Sequence, residues 1–270
     1  MIIIRRSPDS KSNKSLQGTT AKAGETNRAW LRRIGANRGI VLLGGASVAH
    51  FRIRTAQSHA RADLAPSYWS IAGLLTGGET FLSVPLELTG DSSELALRNG
   101  VHECKLADYD DPRQFPNIAA FHFTADDAKI IQYANRVAEE RSIIDLPTLM
   151  LPWLNFIWIT NKSPNPLADG MGLPSAAFLE TVYGIGGIEL TPGVSSAASC
   201  PEVIWQSAKW WHSFYKAESQ STIKGNAMPH AAVGSYLIRQ VAAAVTWPPE
   251  ATDWTREPQG ASKQSPRKKK

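Results

Sequence analysis

Short apolar runs punctuated by glycine and proline fill the first half of the chain, and longer stretches with a three-to-four-residue apolar recurrence fill the second. Gly39-Ile40-Val41-Leu42-Leu43-Gly44-Gly45 is apolar throughout and bounded by glycines, which predicts a buried strand. Ser70 to Leu75 is a second such run, and Thr76-Gly77-Gly78 turns it into Phe81 to Leu88, so the two predict a hairpin. Beyond the tight-turn pair Asn99-Gly100, Val101 to Leu106 alternates as a half-buried strand does, which puts His102, Cys104 and Leu106 on one face. Asn117 to Phe123 predicts a further strand.

Helical spacing then takes over. Thr124 as cap, with Asp127 three residues on, predicts a helix to about Ser142 whose apolar stripe is Ile130, Ile131, Ala134 and Val137. The stretch from Ile143 to Pro166 is rich in Pro, Trp and Asn and has no clean period, so it reads as an irregular connection. A second helix should open at Pro174 or Ser175, bury Phe178, Leu179 and Val182, and stop at Gly184 to Gly187. A third should open at Pro201, with Val203, Ile204, Ala208 and Trp211 inward and Trp210 off that stripe. A fourth should run from about Met228 to Thr246. Strands first and helices after them predict an α+β fold: a small antiparallel sheet, a meander or partly closed barrel, packed against several helices.

A chain of 270 residues, 43% hydrophobic, can bury one sizeable core. Its net charge of +5 sits at the ends. Ser7 to Asn27 and Pro258 to Lys270 are polar, basic and aperiodic, a composition that cannot offset the entropy of ordering. The expected organisation is therefore a disordered basic arm (1–27), a globular α+β domain (28–216), a helical extension packed on it (217–256) and a disordered basic tail (257–270). Basic ends can hold an anionic partner weakly, nucleic acid among them, which would make that affinity fall with salt.

Two cysteines, Cys104 and Cys200, are too few for a disulfide framework and fit a reducing, cytoplasmic compartment. No metal-ligand spacing and no phosphate-binding glycine loop is present, so no metal or cofactor is expected. The most apolar internal run, Leu146 to Ile159, is shorter than the ~20 residues of a membrane helix and holds two prolines, so no membrane span is expected.

From about Gly39 to Trp211 the order of segments resembles the circularly permuted branch of the NlpC-type, papain-like cysteine hydrolases, in which the base strand precedes the nucleophile helix. The carrying residues are Ser70-Ile71-Ala72-Gly73-Leu74, Gly100-Val101, Leu106-Ala107-Asp108-Tyr109, Asp145-Leu146-Pro147, Ser175-Ala176-Ala177-Phe178-Leu179 and Gly187-Ile188-Glu189-Leu190-Thr191-Pro192-Gly193. The resemblance places the nucleophile at Ser175 and the base at Ile71. A thiol at a helix start ionises readily beside a histidine; a hydroxyl facing a hydrocarbon has neither advantage. The resemblance therefore implies a catalytically degenerate fold that acts as a binding or interaction scaffold, with a groove beside Ser175 for a protein, peptide or acyl ligand.

The alternative is an active hydrolase of amide, ester or thioester bonds, using Ser175 or a relocated cysteine. Substitute groups are His59 in the loop before the Ile71 strand, the His102/Cys104 pair, and Cys200 at a helix start. Glu87 could orient a base. The bland reading of each is a helix cap for Ser175, core for Ile71, a buried thiol beside a satisfied imidazole for Cys104, and a surface loop for His59. Tryptophans cluster at Trp205, Trp210 and Trp211 and again at Trp153 and Trp158; packing against one another competes with an interface role.

Overall fold

A computed structural model of the chain describes residues 16–86, 100–123, 126–140, 145–158, 163–218 and 232–240. Seven strands lie among them: β1 (Leu16–Gly18), β2 (Arg38–Gly44), β3 (Ile71–Thr76), β4 (Thr80–Ser83), β5 (His102–Lys105), β6 (Asn117–His122) and β7 (Val233–Ile238). The α-helices are α1 (Asn27–Ile34), α2 (Val48–Ala56), α3 (Asp127–Glu139), α4 (Leu146–Trp158), α5 (Pro174–Ile185) and α6 (Pro201–Glu218). The strands form one open sheet in the order β1-β7-β6-β2-β3-β4-β5. All neighbours are antiparallel except β1 and β7, so the sheet is mixed and does not close. The α+β class expected from the sequence is what the chain adopts, with a larger sheet than the meander alone supplies.

Side-chain alternation divides the sheet into two faces. Ile40 and Leu42 of β2, Ala72 and Leu74 of β3, Leu82 of β4, and Ala119 and Phe121 of β6 face the layer that contains α2 to α6. Val41, Leu43, Ile71, Leu75, Phe81, Cys104, Ile118 and Ala120 face the other way, where Trp30 and Leu31 of α1 cover them. An eight-residue helix is too short to persist alone. Burying Trp30 completely, with its indole N–H donating to Thr19 Oγ1 at 2.8 Å, supplies the tertiary anchor that α1 needs.

Several local expectations are corrected. The arm read as disordered joins the fold from Leu16 onward: β1 pairs with β7, and Thr26 caps α1 by accepting from Ala29 N. Within the connection read as irregular, Leu146–Trp158 is helical, because Leu146, Met150, Trp153 and Ile157 recur at helical spacing and are buried despite Pro152 inside the helix. The cap of α3 is Asp126, whose carboxylate accepts from Ala128 N and Lys129 N; Thr124 lies outside the described residues. Within the stretch predicted as a fourth helix, Val233–Ile238 is a strand inserted between β1 and β6. Gly234 explains the choice: a Cβ there would stand 2.2 Å from the Ala120 carbonyl oxygen, so the residue exists to let two backbones approach. No helix among the described residues is long and apolar enough to cross a membrane.

Candidate functional site

Ser175 is the second residue of α5, after Leu173 at the cap and Pro174 at the first helical position. Proline there forfeits only an N–H that the helix could not use. The helix begins where Leu173 N donates to the Ser199 carbonyl at 2.9 Å, and its first turn lies against β3. Ser175 is 3% exposed, and its Oγ accepts from Ala72 N at 3.4 Å. Among the described residues that is the hydroxyl's hydrogen bond, so no imidazole reaches it. The cap expected of this serine is not its role: Leu173 holds the cap position, and the Ser175 hydroxyl bonds across to β3 instead.

Ile71 does not face Ser175. It belongs with Leu75 and Phe81 to the core under α1, on the opposite side of the sheet. The β3 position on the Ser175 side is Ala72, one residue on, and it is fully buried. Segment order alone placed the expected base position at Ile71; strand parity turns that side chain to the sheet face away from Ser175 and leaves Ala72 on the Ser175 side.

The substitute groups are dispersed. His59 is exposed, on a short 3-10 turn (Ser58–Ala60) after α2. His102 and Cys104 lie on β5, the far edge strand, two strands from β3. Cys104 Sγ sits 3.8 Å from the His102 carbonyl oxygen. Burial pushes the Cys104 thiol up to about 11 and the Cys200 thiol, 1% exposed at the start of α6, up to about 12. Both stay protonated near neutral pH and are poor nucleophiles. Glu87 lies outside the described residues.

Ser175 lines none of three clefts that lie among the described residues along α5, beside the β3–β4 turn and beside α1. One of about 670 Å³ runs along the later turns of α5 and the loop after it. A second, of about 840 Å³, lies between the β3–β4 turn and α3, where Glu103, Asn135 and Glu139 meet Thr76 and Thr80.

Sequence reasoning missed a buried polar network behind α5. Glu202 of α6 has no exposed surface; its Oε2 accepts from Ser67 Oγ at 2.6 Å and its Oε1 from Gln206 Nε2 at 2.5 Å, with Arg61 Nη1 3.8 Å away. Glu202 N donates to Gln57 Oε1 at 2.9 Å, and Gln57 Nε2 donates in turn to the carbonyls of Ile53 and Trp69. Arg54, 1% exposed, donates from Nε to the Ser67 carbonyl at 2.6 Å. Burial raises the Glu202 pKa and lowers that of Arg54. The network ties α2, the 61–70 segment and α6 together; the signal available was Ser47 ahead of Val48-Ala49-His50-Phe51, a helix start whose interior is unusually polar.

Comparison with known proteins found no matching family model, no matching curated protein and no matching solved structure.

Proposed function

We propose that this chain is a permuted, NlpC-type papain-like protein whose catalytic positions are empty, and that it works by binding rather than by hydrolysis. The observation that carries this reading is the Ser175 hydroxyl: 3% exposed, hydrogen-bonded from the Ala72 amide, and faced by the Ala72 methyl group. A serine needs an adjacent base to become a nucleophile, and removing such a partner costs on the order of a million-fold in rate in well-studied hydrolases. The order of β3, α3 and α5 supports the papain-like part of the reading: α5 opens against the strand that carries Ser70 to Leu74.

The test is chemical labelling of the native protein with a fluorophosphonate and with iodoacetamide at pH 7.5. Neither Ser175, Cys104 nor Cys200 should label above the rate of a short model peptide, and both cysteines should become reactive on unfolding. Fluorophosphonate modification of Ser175 in the native protein, lost in Ser175→Ala, would end the proposal.

A further inference from the structure

Helix α5 carries one charged residue, Glu180, and from Pro174 to Ser199 the only charged side chains are Glu180 and Glu189, in a chain of net charge +5. Both line the cleft of about 670 Å³ along α5, together with Thr181, Thr191, Ser195 and Ser196, and among the described residues no Lys, Arg or His contributes to that wall. Glu180 is only 7% exposed. Its Oε1 accepts from Thr191 Oγ1 at 2.5 Å and Ser199 Oγ at 2.9 Å, so the carboxyl is fixed in place at the base of the cleft. Burial raises the Glu180 pKa, and the two hydroxyls together with the backbone N–H groups of Thr191 and Leu190 replace part of the lost hydration.

We infer that this cleft binds an organic cation, an amine or a guanidinium, with Glu180 as its floor and the exposed Glu189 at its mouth. An anion would meet two carboxylates and no counter-charge. An apolar ligand would strip the remaining water from Glu180 and return nothing. A divalent metal is poorly served, since no cluster of three His, Cys, Asp or Glu exists among the described residues. A flat or bidentate N–H donor supplies charge-assisted hydrogen bonds to Glu180 while its neighbouring donors meet the Ser and Thr oxygens. The cation could be a free amine or the Lys or Arg side chain of another protein; the chemistry is shared.

The test uses the full chain, labelled with nitrogen-15, and follows amide shifts on titration with agmatine, with an acetylated and amidated Gly-Arg-Gly peptide, and with glycerol as a neutral control. Agmatine and the peptide should shift Thr181, Thr191 and the 193–196 amides. Glu180→Gln, which keeps an acceptor for Thr191 and Ser199, should weaken binding roughly ten-fold or more, the worth of a hydrogen bond to a charged group. Glu189→Gln, on the surface, should weaken it about two- to five-fold. A tighter peptide identifies a protein side chain as the source, and tighter agmatine a free amine. Absent shifts, equal shifts with glycerol, or affinities unchanged in both variants would overturn the inference. Should Glu180→Gln not fold, an unchanged affinity in Glu189→Gln overturns it alone. The inference is independent of Ser175: labelling of that serine would remove the silent-site reading and leave the cleft standing, whereas missing shifts would remove the cleft and leave the serine as it is.

Discussion

Glu202→Ala should destabilise the protein by about 2–4 kcal/mol at pH 7, and Glu202→Gln by less than about 1 kcal/mol. The alanine change deletes the acceptor of the Ser67 hydroxyl and of the Gln206 amide, and removes the carboxylate 3.8 Å from Arg61. Each hydrogen bond to a charged group contributes about 1.5–3 kcal/mol, and the relief of taking a desolvated carboxylate out of the interior offsets part of that loss. Glutamine keeps the shape: its carbonyl can accept from Ser67 and its amide can donate to a reoriented Gln206, with Arg61 still paired to Asp63 at 2.6 Å. The pH dependence gives a sharper test. Because burial raises the folded-state pKa of Glu202, wild-type stability declines as pH rises from about 4.5, the unfolded value, through the raised folded value. Glutamine does not titrate, so the variant should gain on wild type over that window and hold the gain above it. Urea unfolding at several pH values between 4 and 8, followed by tryptophan fluorescence, reads both effects, since Trp69 and Trp205 pack edge-to-face 5.2 Å apart beside the network. A Gln variant as unstable as the Ala variant at pH 7, or a difference from wild type that is flat with pH, would refute the reasoning.

Two further outcomes concern strand β7 and the segment leading into α1. Gly234→Val should cost more than about 3 kcal/mol or release β7, because the new Cβ would meet the Ala120 carbonyl at 2.2 Å and Phe121 Cα at 2.5 Å; hydrogen exchange at 16–18 and 233–238 would show both strands losing protection together. Glu25→Gln should weaken the protein above pH 4.5, and its deficit should vanish as pH falls towards 2: Arg33, donating to Glu25 at 2.5 Å, holds that carboxylate down to about 2, so the wild type loses the contribution over the same interval. Acid titrations of the two proteins by circular dichroism would settle it, and parallel curves would refute the assignment.

How much of this was legible in the sequence depended on whether burial and periodicity agreed. Strands β2, β3, β4 and β6 are short apolar runs, the first three punctuated by glycine and β6 preceded by Pro116, and α5 and α6 open at Pro174 and Pro201; each announced itself. Helix α2 did not, because it buries His50 and Arg54 on a face where the pattern demands hydrocarbon. Helix α4 was hidden by Pro152, and β7 by an alanine- and glycine-containing stretch whose conformation is decided by the strands on either side of it. At the site, the start of α5 against β3 was readable from segment order. The direction in which Ile71 points was not, since a one-residue ambiguity in a strand exchanges its two faces. Nothing in the spacing marks Glu180 or Glu202; only the fold shows that both are interior.

Strand β7 stands between β1 and β6, pairing Leu16 with Gly234 and Ile118 with Leu237. A ribosome therefore delivers the first strand of the sheet more than two hundred residues before its neighbour, and β6 waits with an open apolar edge in the meantime. Premature termination between β6 and β7 would yield a product that keeps both cores' early strands yet exposes the Ile118-Ala119-Ala120-Phe121 ladder, which makes the truncated chain an aggregation substrate and a target for quality control.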